Sequence, residues 1–402
     1  MSDDDEQNEQ PERELNLLDL PIEIFLHICS FLDASSLVHG LSLTCKQFHQ
    51  ILNDDSIWKV RISQIWPNAG YPMLPPAESD ELFWKLSCVA VEKQARMWKN
   101  KDLERIWLSN VHYSNIDCLL LMRKGSICIS GGRDRSLVLC RLSSEECPEN
   151  ESFVAGNAHD GWIWDLTAID DTIYSCSWDK SIKAWSMTDA GLIPLLTYET
   201  TVTAALLCAT SCPERALFAT GSQCRTVTVF DSRGHTPIVK YQPHHGAIIR
   251  IAMNTNYILS ASEDKTVNIW DQRAGRTLKS ITISKESFPH SMCLKDDIVY
   301  IGDSSAKLHI LDPKQDFELV KSFKTEHEKN ITGVHVDAGC LITSSLDRTV
   351  KISSPTDPPQ LLNSLQYNYG EIANIDYLNE VLAISGTDSI EIWRPKVRTK
   401  CS

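Results

Sequence analysis

The 402-residue sequence has little positive charge and no long apolar run. It carries 39 basic against 53 acidic side chains, a net charge of −14, with no run of Lys or Arg. Proteins that bind nucleic-acid backbones present a basic stripe, so nucleic acid is not an expected partner. No stretch approaches the roughly 20 consecutive apolar residues that cross a membrane, and the N-terminus is acidic where a targeting peptide would be basic. We expect a soluble protein of the cytoplasm, the nucleus or both, without a membrane partner.

The sequence also lacks the patterns of metal sites and of common enzymes. Its 14 cysteines include no CxxC pair and are far fewer than in a disulfide scaffold, so we expect reduced thiols and no metal site. There is no P-loop, no GxGxxG, no GxSxG and no HExxH. We therefore expect neither a cofactor nor a catalytic residue.

The N-terminal part of the chain divides into three regions. Residues 1–14 hold seven acidic side chains against one arginine and predict a disordered acidic tail. Residues 15–59 carry apolar side chains at helical spacing, more than one small core can bury, which predicts a partner surface. Residues 60–104 are rich in Trp and charge, and they predict a helical spacer with its helix over residues 80–99.

The helical segment 15–59 resembles the F-box. The resemblance rests on Leu20-Pro21-x-Glu23-Ile24, Ile28-x-x-Phe31-Leu32-Asp33, Leu37, Cys45-Lys46, Phe48 and Trp58. It implies docking on the Skp adaptor of a cullin-based ubiquitin ligase. The expected adaptor-binding residues are Leu20, Pro21, Ile24, Ile28, Leu32, Leu37 and Leu41. The alternative is a three-helix cap that packs only on the rest of this chain.

A short pattern recurs through residues 105–396. Its clearest copies are SCSWDKSIKAW at 175–185 and SASEDKTVNIW at 260–270, and seven copies end at residues 140, 185, 230, 270, 311, 353 and 393. The period of 40 to 45 residues resembles the WD repeat and implies an all-β seven-bladed propeller, four strands per blade, preceded by a small all-α F-box and a helical spacer. We expect residues 105–108 to supply the outer strand of the last blade, because closing the ring protects its edges.

Three repeats place a His 19 or 20 residues before the Asp of the turn. By resemblance to WD repeats, Asp accepts from His, His bonds a Ser or Thr hydroxyl, and the hydroxyl reaches a Trp indole, so every buried polar group has a partner. The two complete sets are His159, Ser175, Asp179 and Trp185, and His245, Ser260, Asp264 and Trp270. These sets resemble hydrolase triads, but copies at the spacing of the repeat favour a structural network.

Propellers commonly bind partners on one face. By resemblance, the residues at the start of the inner strands and just before the turn Asp are Trp164, Arg250, Thr332, Arg133, Trp178, Glu263 and Leu346. The two arginines come from different blades, and Glu263 is placed to neutralise Arg250, which disfavours a phosphate site. Trp162, Trp164 and Trp178 instead predict an aromatic-centred surface, with ordinary packing as the alternative for each of them.

The order of F-box, spacer and seven repeats resembles the F-box/WD-repeat substrate receptors of SCF-type ubiquitin ligases. The resemblance implies that the F-box binds the Skp adaptor and, through it, cullin and RING subunits, while the propeller binds a protein substrate that the sequence does not identify. Two alternatives remain: an adaptor-bound scaffold that never delivers ubiquitin, and an enzyme with its site in the propeller channel. The absence of a non-repeated His/Asp/Glu constellation disfavours the enzyme.

Overall fold

The computed structural model describes residues 17–65, 83–99, 103–142, 150–198, 200–295 and 297–396. The predicted acidic tail of residues 1–14 lies outside the described residues, and so does the part of the predicted spacer between residues 66 and 82.

In the described residues, five α-helices precede the strands. They are α1 (Ile22–Ser30), α2 (Ala34–His39), α3 (Lys46–Leu52), α4 (Asp55–Ile65) and α5 (Phe83–Lys99), with 3-10 turns at Leu17–Asp19 and Leu41–Leu43. The chain turns into α2 at Asp33, whose carboxylate accepts from the Ser36 N–H at 2.8 Å, as an N-cap does. The predicted division between F-box and spacer at residues 59 and 60 stays a prediction, and α4 runs through it without a break.

The helices share one small core. Phe25 of α1 stacks on Phe48 of α3 with ring centroids 4.6 Å apart. Trp58 of α4 is fully buried, and its indole N–H donates to the Leu52 carbonyl at 2.9 Å. Because these side chains fill the core from one side of α1, the opposite side of that helix is left outside.

The strands form seven four-stranded antiparallel sheets, the blades of a β-propeller, which confirms the predicted fold class. Blade 1 has β2 (Ile116–Met122), β3 (Ile127–Gly132), β4 (Leu137–Arg141) and β5 (Glu151–Ala155); blade 2 has β6 (Ile163–Ile169), β7 (Thr172–Ser177), β8 (Ile182–Thr188) and β9 (Gly191–Tyr198). Blade 3 has β10 (Leu206–Cys212), β11 (Leu217–Ser222), β12 (Val227–Asp231) and β13 (Pro237–Tyr241); blade 4 has β14 (Ile248–Met253), β15 (Tyr257–Ser262), β16 (Thr266–Asp271) and β17 (Arg276–Thr282). Blade 5 has β18 (Pro289–Lys295), β19 (Ile298–Asp303), β20 (Lys307–Asp312) and β21 (Glu318–Lys324); blade 6 has β22 (Ile331–Asp337), β23 (Cys340–Ser345), β24 (Thr349–Ser354) and β25 (Gln360–Gln366). Blade 7 has β26 (Asn374–Leu378), β27 (Val381–Ser385) and β28 (Ile390–Pro395), and its outer strand is β1 (Leu103–Leu108).

The ring closes as the sequence predicts, through β1. This strand pairs antiparallel with β28, from Leu103 opposite Pro395 to Leu108 opposite Ile390. Across the pair, Arg105 donates to both carboxylate oxygens of Glu391, at 2.7 and 3.0 Å. The first strand of the described residues therefore completes the last blade and covers the edge of β28 that would otherwise be exposed.

Helix α5 lies between the other helices and the propeller. On one side Glu92 forms an ion pair with Arg61 of α4 and accepts from the Ala34 N–H at 2.8 Å. On the other side Gln94 donates to the Tyr377 hydroxyl at 3.0 Å, and Trp98 is buried in a cluster with side chains of blades 6 and 7. One helix therefore contacts both parts of the protein. None of the described helices is long and apolar enough to span a membrane.

Candidate protein-binding surfaces

The histidine networks lie inside the blades, where they hold the turn and the strands together. In blade 2, His159 Nδ1 contacts Asp179 at 2.9 Å and His159 Nε2 contacts the Ser175 hydroxyl at 2.7 Å. The Trp185 indole donates to the same hydroxyl at 2.8 Å. His159 and Ser175 are almost completely buried, so no substrate reaches them. The blade 2 network contains all four predicted residues and is built to satisfy buried polar groups.

Blade 4 differs from the prediction in two residues. His244, not His245, contacts Asp264 at 3.1 Å and the Ser260 hydroxyl at 2.8 Å, whereas His245 is exposed and donates only its backbone N–H to Asp264. The spacing explains the correction, because His159 and His327 both precede their Asp by 20 residues, as His244 does. Trp270 stacks on Tyr241, with centroids 3.8 Å apart, and no hydrogen bond joins it to Ser260 in the described residues.

Two further networks escaped the sequence search. In blade 1, His112 contacts Asp134 at 2.9 Å and Ser130 at 2.8 Å, and its distance of 22 residues from the Asp placed it outside the pattern. In blade 5, Asp303 accepts from the Ser287 hydroxyl at 2.6 Å and contacts His309 at 3.0 Å. The blade 5 histidine sits on β20 instead of the loop before the inner strand, so a search by loop spacing has no signal for it.

Burial and hydrogen bonding set the charge states in these networks. Burial acts to raise the pKa of Asp179, but the hydrogen bonds from His159 and Ser181 outweigh it and the pKa is lowered. The pKa of Asp264 is lowered by hydrogen bonds in the same way, against the effect of burial. Burial lowers the pKa of His244, although Asp264 opposes this shift. Both shifts favour a carboxylate beside a neutral imidazole in the blade 4 network.

The outer side of the first helices carries a patch of exposed apolar side chains. Its members project from α1, from the residues that flank this helix and, in the case of Leu43, from the 3-10 turn Leu41–Leu43. The side chains exposed by more than a third are Leu17, Leu18, Ile22, Ile24, Ile28, Phe31, Leu32 and Leu43. We call this set the α1 face. Contiguous exposed apolar patches on a protein surface mark interaction sites, since leaving them in water is costly.

The α1 face contains some of the predicted adaptor-binding residues and not others. Ile24, Ile28 and Leu32 are exposed members of it, Pro21 is exposed beside them, and Leu20 is half-buried. Leu37 is 2% exposed, belongs to the helical core and lines the cavity between the helices, so it is not a member of the α1 face. Leu41 is half-buried against the same core. Phe31, 77% exposed, was missed as a contact because the motif alone does not show which side of the chain turns outward.

Three tryptophans meet on one face of the propeller. Trp162 and Trp178 have ring centroids 4.8 Å apart, and Trp164 lies 5.7 Å from Trp178. Trp162 and Trp178 are exposed at 37% and 40%. The Arg133 guanidinium lies over the rings of Trp162 and Trp164, at 5.0 and 5.5 Å from their centroids. We call these four residues the tryptophan face.

A cavity of about 600 Å³ is lined by residues of the helices α1 to α5. A second cavity, of about 390 Å³, adjoins the tryptophan face. The second is lined by Trp164, Trp178, Leu207, Gln223, Arg225, His245, Gly246, Ala247 and Glu263. Blades 2, 3 and 4 therefore share one recess that brings together two of the predicted aromatic residues and the predicted Glu263.

The two predicted arginines already have carboxylate partners. Arg133 donates to Asp117 at 3.0 Å, and the Arg250 guanidinium lies 3.7 Å from Asp165. The prediction that Glu263 neutralises Arg250 is wrong, because the carboxylate paired with Arg250 is that of Asp165. Asp165 lies on β6 of blade 2, two blades away from the β14 strand that carries Arg250. Each arginine is compensated within the chain, so the tryptophan face does not present two free guanidinium groups to a phosphate.

Two predicted contact residues lie apart from the tryptophan face. Thr332 is 2% exposed, and its hydroxyl is hydrogen-bonded to Ser344 at 2.9 Å, so the prediction that it contacts a substrate is wrong. Thr332 occupies a β-bulge like that of Trp164, but its short side chain turns into the blade. Leu346 is half-buried in blade 6 and does not line the recess. The described residues contain no group of three or more His, Cys, Asp or Glu that could hold a metal ion.

Comparison with known domain families and proteins agrees with this architecture. The F-box-like family matches residues 17–62, and the WD domain, G-beta repeat family matches residues 152–186, 235–271 and 317–352. The chain is 31% identical to human F-box/WD repeat-containing protein 9 over 391 residues, which cover 95% of this chain and 83% of the human protein. It is 31% identical to the protein of the same name from Bos taurus, over 94% of this chain and 82% of the bovine one. It is also 26% identical to F-box/WD repeat-containing protein mec-15 of Caenorhabditis elegans, over 95% of this chain and 96% of the worm protein.

Proposed function

The chain belongs to the family of F-box/WD repeat-containing protein 9, and on this premise we propose that it is the substrate-recognition subunit of an SCF-type ubiquitin ligase. In this role its F-box binds a Skp-type adaptor, which joins it to cullin and RING subunits in the cytoplasm, the nucleus or both. Its propeller holds the protein to be ubiquitinated. The chain supplies no catalytic residue and acts by bringing substrate and ubiquitin carrier together.

The α1 face is the observation that carries the adaptor half of the proposal. Ile24 and Ile28 lie one helical turn apart and are 47% and 36% exposed, and Phe31 is exposed beside them. The helical core is built from Phe25, Phe48, Trp58 and their neighbours, and these side chains are not part of it. A helical partner that covers the face would remove this apolar area from water at roughly 25 cal/mol per Å².

The tryptophan face supports the substrate half. Tryptophan and arginine are the residue types most often found at the energetic centres of protein interfaces. Trp162 and Trp178 remain exposed, although large aromatic side chains favour buried positions. Arg133 is held over the rings by its ion pair with Asp117. The recess beside them gives a partner side chain somewhere to enter.

The contacts of α5 support the proposal that the two faces work together. Arg61 and Glu92 fix α5 to the F-box helices, and Gln94 and Trp98 fix it to blades 6 and 7. A substrate on the propeller would therefore be held at a constrained distance from the adaptor. Constraining two reactants in this way raises their effective concentration, and a receptor without catalytic residues speeds the reaction by this effect alone.

Binding of a purified Skp-type adaptor to the full-length chain tests the first step. Ile24→Arg places a charge in the α1 face, and we expect it to weaken adaptor binding by about 100-fold, the loss typical of a disrupted hot spot. Leu86→Arg is the matched control, because Leu86 is an equally exposed leucine on α5 outside the face. Biolayer interferometry with both variants, alongside their melting temperatures, gives the comparison. Equal adaptor binding by the Ile24 variant and the wild type would contradict the proposal.

A further inference from the structure

Blade 6 has the same network as blade 2 but lacks its tryptophan. His327 contacts Asp347 at 3.0 Å and the Thr343 hydroxyl at 2.9 Å. In the β-ladders, Leu341 lies opposite Ser353 just as Ile173 lies opposite Trp185, so Ser353 occupies the tryptophan position. The hydroxyl that binds an indole in blade 2 has no indole beside it in blade 6.

The equivalent position is occupied by a larger or better-buried side chain in other blades. Phe230 and Leu311 are fully buried in blades 3 and 5, and Cys140 is 1% exposed in blade 1. Ser353, in contrast, is partly exposed. Blade 6 therefore carries a small polar residue where its neighbours carry packing side chains.

A cavity of about 230 Å³ fills the place of the missing ring, between blades 5 and 6. Among its lining residues, Leu308, Leu341 and Thr343 are buried, and Lys324 and Leu361 are exposed at its mouth. A cavity of about 150 Å³ with apolar walls is known to admit benzene. The space is thus large enough for a bicyclic aromatic ring. We call it the Ser353 slot.

Polar side chains, among them Ser322, Thr325, Lys351 and Ser353, line the slot together with the apolar ones, and the Thr343 hydroxyl has a defined role among them. Asp347 is a carboxylate that accepts from His327 Nδ1–H, so His327 Nε2 accepts the Thr343 hydroxyl proton. The Thr343 oxygen then keeps a lone pair for a second donor. In blade 2 the Ser175 oxygen uses that lone pair to accept the Trp185 N–H at 2.8 Å, among apolar neighbours of blade 1.

We propose that the Ser353 slot binds the indole ring of a tryptophan that a partner polypeptide presents at the outer side of blades 5 and 6. Trp185 shows the occupant that such a site takes, since the same strand positions and the same hydroxyl chemistry hold it within this chain. The apolar side chains of the slot, Leu308 and Leu341 among them, contact the ring, the Thr343 oxygen accepts the indole N–H, and exposed Leu361 at the mouth packs on the partner's neighbouring residues. The site is separate from both the α1 face and the tryptophan face, and it does not depend on ubiquitin-ligase function.

Fluorine NMR with 5-fluoroindole as the probe tests the slot in the full-length protein. We expect saturable broadening of the probe resonance with a dissociation constant of roughly 1 mM, in keeping with the affinity of a nine-atom ring. Ser353→Trp fills the slot from within, so it should abolish the broadening and raise the Tm by about 2–4 °C, as added burial in a large domain does. Ser353→Ala leaves the space open and should keep the binding.

The results that overturn the proposal are distinct. No saturable binding to the wild type, or equal binding to the Ser353→Trp variant, would show that the slot does not take the ring. A Ser353→Trp variant that fails to fold would show that the space does not fit an indole.

The hydrogen bond is tested separately with 1-benzothiophene, which has the shape of indole and no N–H. In the wild type we expect it to bind several-fold more weakly than indole, and in Thr343→Val we expect this preference to disappear. Competition against 5-fluoroindole measures both. Equal binding of the two rings by the wild type would contradict a role for the Thr343 oxygen.

Discussion

The helical region and the propeller place their side chains in opposite ways. The α1 face leaves Ile24, Phe31 and other apolar side chains in water, while polar groups such as His244 and Ser260 are sealed inside blade 4. The helical core does not include the side chains of the α1 face, whereas the network of blade 4 supplies partners for its own buried His244 and Ser260. Exposed apolar groups therefore indicate binding, and buried His–Asp pairs indicate stability, although the pairs look more like a catalytic site.

The strongest test of this contrast is the substitution of a network residue that has many hydrogen-bond partners. Asp264 accepts from Thr266 twice, from the His245 backbone N–H and from His244. Asp264→Ala leaves these donors, the buried His244 among them, without their acceptor and should lower the free energy of unfolding by about 3 kcal/mol. Chemical denaturation of the full chain measures it, and adaptor binding should be unchanged in the folded protein. An unaltered melting temperature would refute the structural role of the network.

The two neighbouring histidines sharpen the same point with a smaller effect. His244→Ala removes the imidazole that bridges Asp264 and Ser260 and should cost about 2 kcal/mol. His245→Ala removes only an exposed ring, because the His245 backbone N–H makes the contact, and should change stability by less than about 0.5 kcal/mol. Thermal unfolding of the pair separates them. Equal losses would contradict the assignment of His244 as the network histidine.

Substitution on the tryptophan face should have the reverse pattern. Trp164→Ala with Trp178→Ala removes two rings that lie at the surface, so we expect at least about a tenfold loss of substrate capture, as for interface anchors. The melting temperature should change little in comparison with Asp264→Ala. Quantitative capture from cells, normalised to the recovered adaptor, measures the first effect. Unchanged capture would mean that these rings serve packing alone.

Acidification gives the smallest expected effect and separates the two regions by their histidines. Burial lowers the pKa of His244 and of His327 in the propeller, whereas His27, His39 and His49 of the helices are exposed. Unfolded histidine titrates near pH 6.5, so between about pH 7 and 5 the unfolded chain binds protons that the folded propeller does not. Stability should therefore fall with falling pH in this window, and His290, whose pKa burial lowers to about 4, contributes in the same direction. Denaturation at pH 7 and pH 5 checks it, and increased stability at pH 5 would contradict the sign.

Much of the fold followed from period and spacing, and the errors arose where those signals carry no information. The period of the repeat predicted seven blades and the closing strand, because every blade must bury the same faces. The same reasoning chose His245 over His244, since two adjacent histidines differ by one residue in spacing and only one can reach Asp264. It also assigned Leu37 and Thr332 to partner surfaces, because position in a motif does not determine whether a side chain turns into the core.

The most direct test of the central claim is affinity capture from cells, followed by quantitative mass spectrometry, with and without cullin and proteasome inhibition. The full-length chain is compared with a variant altered at Leu20, Pro21 and Ile24 and with the Trp164/Trp178 double variant. We predict that adaptor and cullin are recovered with the wild type and lost from the first variant. A set of bound proteins should accumulate on the wild type only under inhibition. The same set should stay on the Leu20/Pro21/Ile24 variant without inhibition, and it should be depleted from the Trp164/Trp178 double variant. Recovery of neither adaptor nor cullin, or of a bound set that inhibition does not change, would contradict the assignment as a substrate receptor.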